Sequence, residues 1–149
     1  MEKKYYSYNM FKADTIQLLK TLQNSRFDTI VGLSRGGLSL AQAIAESLEL
    51  RDLQTVQTQL YNTTEKNSSL RLVDNTSLKE GRKILVVDDI ADSGETLQVV
   101  VSYLQKKYPT CDFESATLFY NKSSVYEPTY WVNEATCWIE FFWETDFKL

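Results

Sequence analysis

VVDDIADSGETL, Val86 to Leu97, changes character twice within twelve residues. The run Lys83 to Val87 that leads into it is apolar and β-branched, as expected of a parallel strand buried on both faces. Asp88 and Asp89 follow at its carboxyl end, where open α/β sheets hold their ligands. A helix is expected over Glu95 to Lys107. The backbone N–H groups from Ala91 through Asp92, Ser93, Gly94 and Glu95 to Thr96 are then left without intrahelical acceptors, at the positive end of the helix dipole. Ser93 and Thr96 add hydroxyls, and Gly94 permits a positive φ and close approach to an anion. Paired carboxylates beside free donors suit a sugar phosphate, whereas an ordinary N-capped helix would need neither the acid pair nor the glycine.

Working outward, strands and helices alternate. Apolar residues at Phe11, Ile16, Leu18, Leu19 and Leu22 predict a helix over Phe11 to Leu22 with Asn9 near its cap. Asp28 to Leu33 reads as a strand, Leu38 to Leu48 as a helix, Leu53 to Tyr61 and Arg82 to Val87 as strands, and Phe113 to Tyr120 as a fourth strand. This alternation predicts an α/β protein with a parallel sheet. The polar run NTTEKNSS, Asn62 to Ser69, is too long and hydrophilic for a tight connection and reads as a lid or loop.

A second strand-to-helix segment, GLSRGG, spans Gly32 to Gly37. Four of the five glycines, Gly32, Gly36, Gly37 and Gly94, fall in these two segments, which points to close backbone approach at both. A Gly-Gly turn before a helix is more often just a turn, so this segment gains meaning only beside the acidic one.

Together the two segments resemble the type I phosphoribosyltransferases. VVDDIADSGETL is similar to their phosphoribosyl pyrophosphate (PRPP) motif, and residues 28–145 as a whole resemble the bacterial 6-oxopurine members, the xanthine-guanine and hypoxanthine-guanine enzymes. The resemblance implies a mostly parallel central sheet flanked by helices, with a small hood built from the terminal segments, all within a single domain of residues 1–149. It assigns the PRPP 5′-phosphate to Ala91, Asp92, Ser93, Gly94, Glu95 and Thr96. Ser34, Arg35, Gly36 and Gly37 would hold pyrophosphate, with a cis peptide between Ser34 and Arg35. Asp88 and Asp89 would hold the ribose hydroxyls and organise Mg²⁺, with Glu144 near a second metal.

The same resemblance sets the substrate class. Members acting on 6-oxopurines carry an aspartate at the Asp92 position, where a carboxylate near the purine N7 can take its proton as N9 attacks the ribose C1. Lys122 would donate to the exocyclic O6, Trp138 would stack on the purine, and the backbone of Ile139 would meet its edge. An aromatic stripe such as WIEFFWE is usually core, so Phe141, Phe142 and Trp143 are expected to include core or interface residues. The family's flexible lid, about residues 60–76 here, commonly starts with a Ser-Tyr pair. This chain has Leu60 and Tyr61 in that place, so the serine's contact is expected to be absent or supplied elsewhere, as by Thr63 or Thr64. The expected reaction transfers phosphoribose from PRPP to N9 of hypoxanthine, guanine or xanthine in purine salvage. The alternatives are transfer to another base, or a PRPP- or nucleotide-binding regulator without catalysis.

Composition narrows the field further. The chain has 149 residues, 43% of them hydrophobic and 24% charged, enough for one core of ordinary size. A net charge of −4 supplies no basic field to recruit nucleic acid. No apolar run approaches a membrane span and no charged-then-apolar leader is present, so a cytoplasmic protein without a membrane segment is expected. Histidine is absent, which excludes Ser-His-Asp and Cys-His nucleophiles and most zinc chemistry. Cys111 and Cys137 lack metal spacing and read as reduced structural residues. Relatives of this kind are usually homodimers or homotetramers. The tyrosines at Tyr5, Tyr6 and Tyr8 would serve as core or as contact.

Overall fold

The computed structural model describes residues 2–63 and 67–149, and of residues 60–63, 67 and 68 only the backbone. Its central element is β5 (Lys83–Val87), where Ile84, Leu85, Val86 and Val87 are all 0% exposed. Burying each such side chain contributes about 1.5–3 kcal/mol, which explains why an unbroken apolar run sits in the middle of a sheet. β5 pairs in parallel with β2 (Thr29–Ser34) on one side and β7 (Asp112–Tyr120) on the other. β3 (Leu53–Thr63) lies parallel beyond β2, and β4 (Asn67–Asp74) closes that edge antiparallel. β8 (Tyr130–Glu134) runs parallel along the far edge of β7. The expected α/β architecture with a mostly parallel sheet is therefore present.

Helices cover both faces. α1 (Tyr8–Leu22) and α2 (Leu38–Ser47) place Phe11, Leu18, Leu22, Leu40, Ala41 and Ile44 against Ile30, Leu85 and Val87. On the other face α3 (Glu95–Lys107) buries Leu97, Val100, Val101 and Leu104, one stripe at helical spacing, against Val31, Leu33, Ile84 and Val86. α1 starts earlier than expected. Ser7, not Asn9, is its N-cap, with Ser7 Oγ accepting from the Met10 N–H at 3.1 Å.

Two further departures matter for the site. Asn67–Asp74 is strand rather than loop, so β3 and β4 form an antiparallel ribbon whose register runs from Val56↔Asp74 to Thr63↔Asn67. Of the polar run expected to form a lid or loop, residues 62–63 and 67–69 are therefore strand. The lid contacts expected of Tyr61, Thr63 or Thr64 concern side chains outside the described residues. The hood is a separate two-stranded parallel sheet, β1 (Lys3–Tyr6) with β9 (Trp138–Phe141), followed by the short helix α4 (Phe142–Thr145). Tyr6, 1% exposed, fixes it. Its ring meets Phe119, Phe141 and Trp143 edge-on, and its hydroxyl donates to Asp14 Oδ2 at 2.6 Å. Tyr5 and Tyr8 stand at the surface.

The base of the ribbon is tied to α3 through Asp74. Its carboxylate accepts from Thr76 N–H at 2.7 Å, Lys107 Nζ at 2.7 Å and Tyr103 Oη at 2.9 Å. Burial alone would raise this carboxyl, but the hydrogen bonds from Lys107, Thr76 and Tyr103 outweigh it and hold it at about 2. A carboxylate depressed in the folded state stabilises the fold above its unfolded pKa and loses that contribution as pH falls through its folded one. Asp74→Ala is therefore expected to destabilise the protein by about 2 kcal/mol at pH 7. In urea unfolding, the gap to the parent should close as pH falls from about 4 to about 2.

Candidate active site

The chain leaves β2 through α2 towards β3 and leaves β5 through α3 towards β7, in opposite directions. Between the carboxyl ends of β2 and β5 a crevice must open, since no crossover covers it. Ser34–Gly37 emerges on one lip and Asp88–Asp89 on the other. A cavity of about 630 Å³ lies there, lined by Ser34, Arg35, Gly36, Thr58, Asp88, Asp89, Thr96, Trp143, Glu144 and Lys148. A second of about 220 Å³ is lined by residues 88–94 with Thr96 and Leu97, so the two share Asp88, Asp89 and Thr96. A hollow of about 530 Å³ at the end of α2, around Glu46, Glu49 and Arg51, lies at neither of these strand ends.

Asp88 and Asp89 are displaced from the sheet rather than simply ending it. After β5 the chain re-enters beside β7 as β6 (Ile90–Ala91), and because β8 occupies the other edge of β7, β6 continues the line of β5. The interruption is anchored by Asp88 N–H to Ala116 O, and by Leu118 and Phe119 N–H, which both donate to Asp89 O at 3.0 and 3.2 Å. Such a bulge re-aims side chains, here into the crevice. Burial, and then repulsion from Asp89, push the Asp88 carboxyl well up. Burial also raises Asp89, to about 6, with the negative Glu144 adding to the rise.

The glycines are explained by the protein itself. A Cβ on Gly36 would run into the Asp89 carboxylate, and one on Gly37 into Val87 O and Asp88 Cα. Gly94 has φ +82° and is the N-cap of α3, with no side-chain cap, while the Ser124–Tyr126 loop packs where its Cβ would stand. The amides of Thr96 and Leu97 thus begin a helix whose cap gives them nothing, and only Glu95 N–H finds Ser93 Oγ, at 3.3 Å. Gly37, expected to help hold pyrophosphate, has its amide engaged within the loop. Its N–H donates to Leu33 O at 2.9 Å and closes the loop internally, so this amide is already used. The peptide between Ser34 and Arg35 is cis, as expected.

The sequence pattern of the phosphoribosyl transferase domain matches residues 4–148. The chain belongs to the phosphoribosyltransferase family. It is 30% identical over 125 residues to a xanthine-guanine phosphoribosyltransferase of Cereibacter sphaeroides, covering 81% of this chain and 71% of that one. Among solved structures, the xanthine-guanine-hypoxanthine phosphoribosyltransferase of Helicobacter pylori superposes with a TM-score of 0.90 at 34% identity, covering 97% and 96% of the two chains. A purine phosphoribosyltransferase of Pyrococcus horikoshii gives 0.87 at 26% identity, covering 100% and 98%.

In this phosphoribosyltransferase the residues singled out from the sequence fall into two groups. Ser34, Arg35, Gly36, Asp88, Asp89, Thr96 and Glu144 share the larger cavity, and Ala91, Asp92, Ser93 and Gly94 line the smaller one. Lys122, Trp138 and Ile139 line neither. Lys122 Nζ sits 3.4 Å from Glu134 in an exposed ion pair, Trp138 is 53% exposed, and Ile139 is buried in the core with its backbone paired to Lys4. Thr58, Trp143 and Lys148 line the larger cavity without having been singled out. Trp143 was hidden in the aromatic stripe that sequence assigns to core, and it does stack on Phe141 at 4.6 Å. Thr58 and Lys148 carry no local signal. Among the described residues no helix is long and apolar enough to cross a membrane.

Proposed function

We propose that this enzyme transfers phosphoribose from PRPP to N9 of a 6-oxopurine, releasing pyrophosphate and a nucleoside 5′-monophosphate, with Mg²⁺ as its metal. The observation that carries this reading is the joining of two cavities over Asp88, Asp89 and Thr96. PRPP is a ribose with an anion at each end. The uncapped α3 N-terminus suits the 5′-phosphate, the Arg35 loop suits the pyrophosphate, and the carboxylates between them suit the ribose hydroxyls.

The acid pair fits magnesium by its donor set. Both carboxyls are held up by burial and negative neighbours, and neither makes an ion pair among the described residues. Among those residues no cluster of three or more candidate ligands could hold a metal alone. That suits a magnesium held by one or two carboxylates together with substrate oxygens and water. Bound there it would neutralise charge on the pyrophosphate. Glu144 lines the same cavity and would act through water. Arg35 holds the leaving group, Asp92 takes the purine N7 proton, and Lys122 and Trp138 receive the base. An exposed pair such as Lys122–Glu134 is worth at most about 1 kcal/mol, so the ammonium remains available to the base.

Lys122 is a donor-only cation and would face another donor on adenine. With PRPP and Mg²⁺, hypoxanthine or guanine should therefore exceed adenine by at least about tenfold in kcat/KM. Parallel product assays with hypoxanthine, guanine, xanthine and adenine test this. Lys122→Ala should erode the preference more than it weakens PRPP binding. Equal use of adenine overturns the 6-oxopurine assignment, and no product with any base overturns the transfer reaction.

A further inference from the structure

The Asp92 carboxylate has one neighbour whose geometry is more specific than a turn requires. The segment following β7 reaches back to it, and Asn121 Nδ2 donates to Asp92 Oδ1 at 3.1 Å. The other end of that carboxamide is fixed as well. Asn121 Oδ1 accepts from Ser123 N–H at 3.0 Å and from Ser123 Oγ at 2.8 Å. These two donors decide which end of the amide faces Asp92. A flipped side chain would set its NH₂ against the Ser123 N–H and its oxygen against a carboxylate.

The fold does not need this side chain to hold the segment in place. Three backbone bonds do that already: Asn121 N–H to Ala91 O at 2.9 Å, Ser124 N–H to Asn121 O at 2.8 Å, and Val125 N–H to Ser93 O at 2.9 Å. The first and third fasten the segment to Ala91 and Ser93, on either side of Asp92, and the second closes the turn within it. The Asp92 side chain lies between those fastenings, exposed, and would otherwise rotate freely. Orientation of a reacting group is worth large factors in rate, and a displacement of about 1 Å can cost 10²-fold.

We infer that Asn121, steered by Ser123, is a positioning residue for Asp92: it holds Oδ1 and so presents Oδ2 to the purine N7. The inference rests on the role proposed above for Asp92. Asn121 touches no substrate in this scheme, and its effect passes wholly through the carboxylate it holds.

Four variants test it: Asn121→Ala, Ser123→Ala, Asp92→Asn and the double variant Asn121→Ala/Asp92→Asn. Each is assayed for kcat and for the KM of PRPP, with PRPP and hypoxanthine varied in turn. Asn121→Ala should lower kcat by about tenfold while the KM for PRPP stays within about twofold, since only an orientation is lost. Ser123→Ala keeps the amide but releases its far end, and should lower kcat by about threefold. Once the base is gone its orientation has no value, so adding Asn121→Ala to Asp92→Asn should change kcat by less than about twofold. A loosening of the fold would instead act equally in both backgrounds. Unchanged kcat in Asn121→Ala, or the same tenfold loss on top of Asp92→Asn, overturns the inference while leaving the base intact. If Asp92→Asn alone leaves kcat unchanged, the base role falls and the positioning role falls with it.

Discussion

Asp92→Asn should lower kcat by about 10²–10⁴ and leave the KM for PRPP within about twofold, the usual worth of a general acid or base. The substitution separates chemistry from shape. Asparagine keeps an oxygen where Asn121 Nδ2 donates to Oδ1 at 3.1 Å, so the side chain can stay where it is. The amides of Ser93 to Thr96, which suit the 5′-phosphate, do not depend on the Asp92 charge for their direction, because Gly94 and the start of α3 set it. What disappears is the ability to accept the N7 proton while N9 attacks C1 of the ribose. Steady-state kinetics with hypoxanthine and PRPP varied in turn would show the loss in kcat. Undiminished turnover would reduce Asp92 to a turn residue and remove the central chemical step of the proposal.

How much of this could be read beforehand depended on whether the determining interactions are local. The 83–107 segment was legible because each of its signals lies within a few residues. They are a β-branched run buried on both faces, an acid pair at the strand end, a glycine at positive φ, and a helix with Leu97, Val100, Val101 and Leu104 on one stripe. GLSRGG was legible as a special turn, though not in its detail, since nothing local shows that Gly37 N–H returns to Leu33 O. The hood was legible only through family resemblance. β1 and β9 are four residues each and pair across the length of the chain, Lys3 with Trp138 and Tyr6 with Phe141, so neither carries a periodicity to detect. The polar ribbon misled for another reason. Antiparallel pairing is satisfied by backbone groups, so the polar residues 67–69 can be strand without apolar alternation of their own, while Leu70 and Leu72 further along β4 are half-buried. Asn121 and Ser123 gave no warning, because their meaning comes from the fold that brings them against Asp92.

Gly36→Ala should lower kcat/KM for PRPP by about 10²-fold without unfolding the protein, and the reason is the immobility of Asp89. A methyl group on Gly36 would overlap Asp89 Oδ2 and stand 2.8 Å from Cγ and 3.1 Å from Oδ1. Asp89 has little room to yield. It is 8% exposed, its Oδ1 accepts from Ile90 N–H at 2.8 Å, and its carbonyl holds both Leu118 and Phe119 N–H. The loop must therefore move instead, carrying Arg35 and the Gly36 amide away from the position proposed for pyrophosphate. A shift of a few tenths of an ångström up to about 1 Å is enough to degrade binding and alignment of a leaving group. Gly37→Ala is the contrasting variant. Its Cβ would meet backbone atoms, Val87 O, then Asp88 Cα and Leu33 O at 2.9 Å each, so it should destabilise the fold itself. Kinetics with PRPP varied, read beside thermal unfolding of both variants, distinguishes the two outcomes. If Gly36→Ala retains kcat/KM within about threefold of the parent, the tight approach of this loop to Asp89 has no part in placing PRPP.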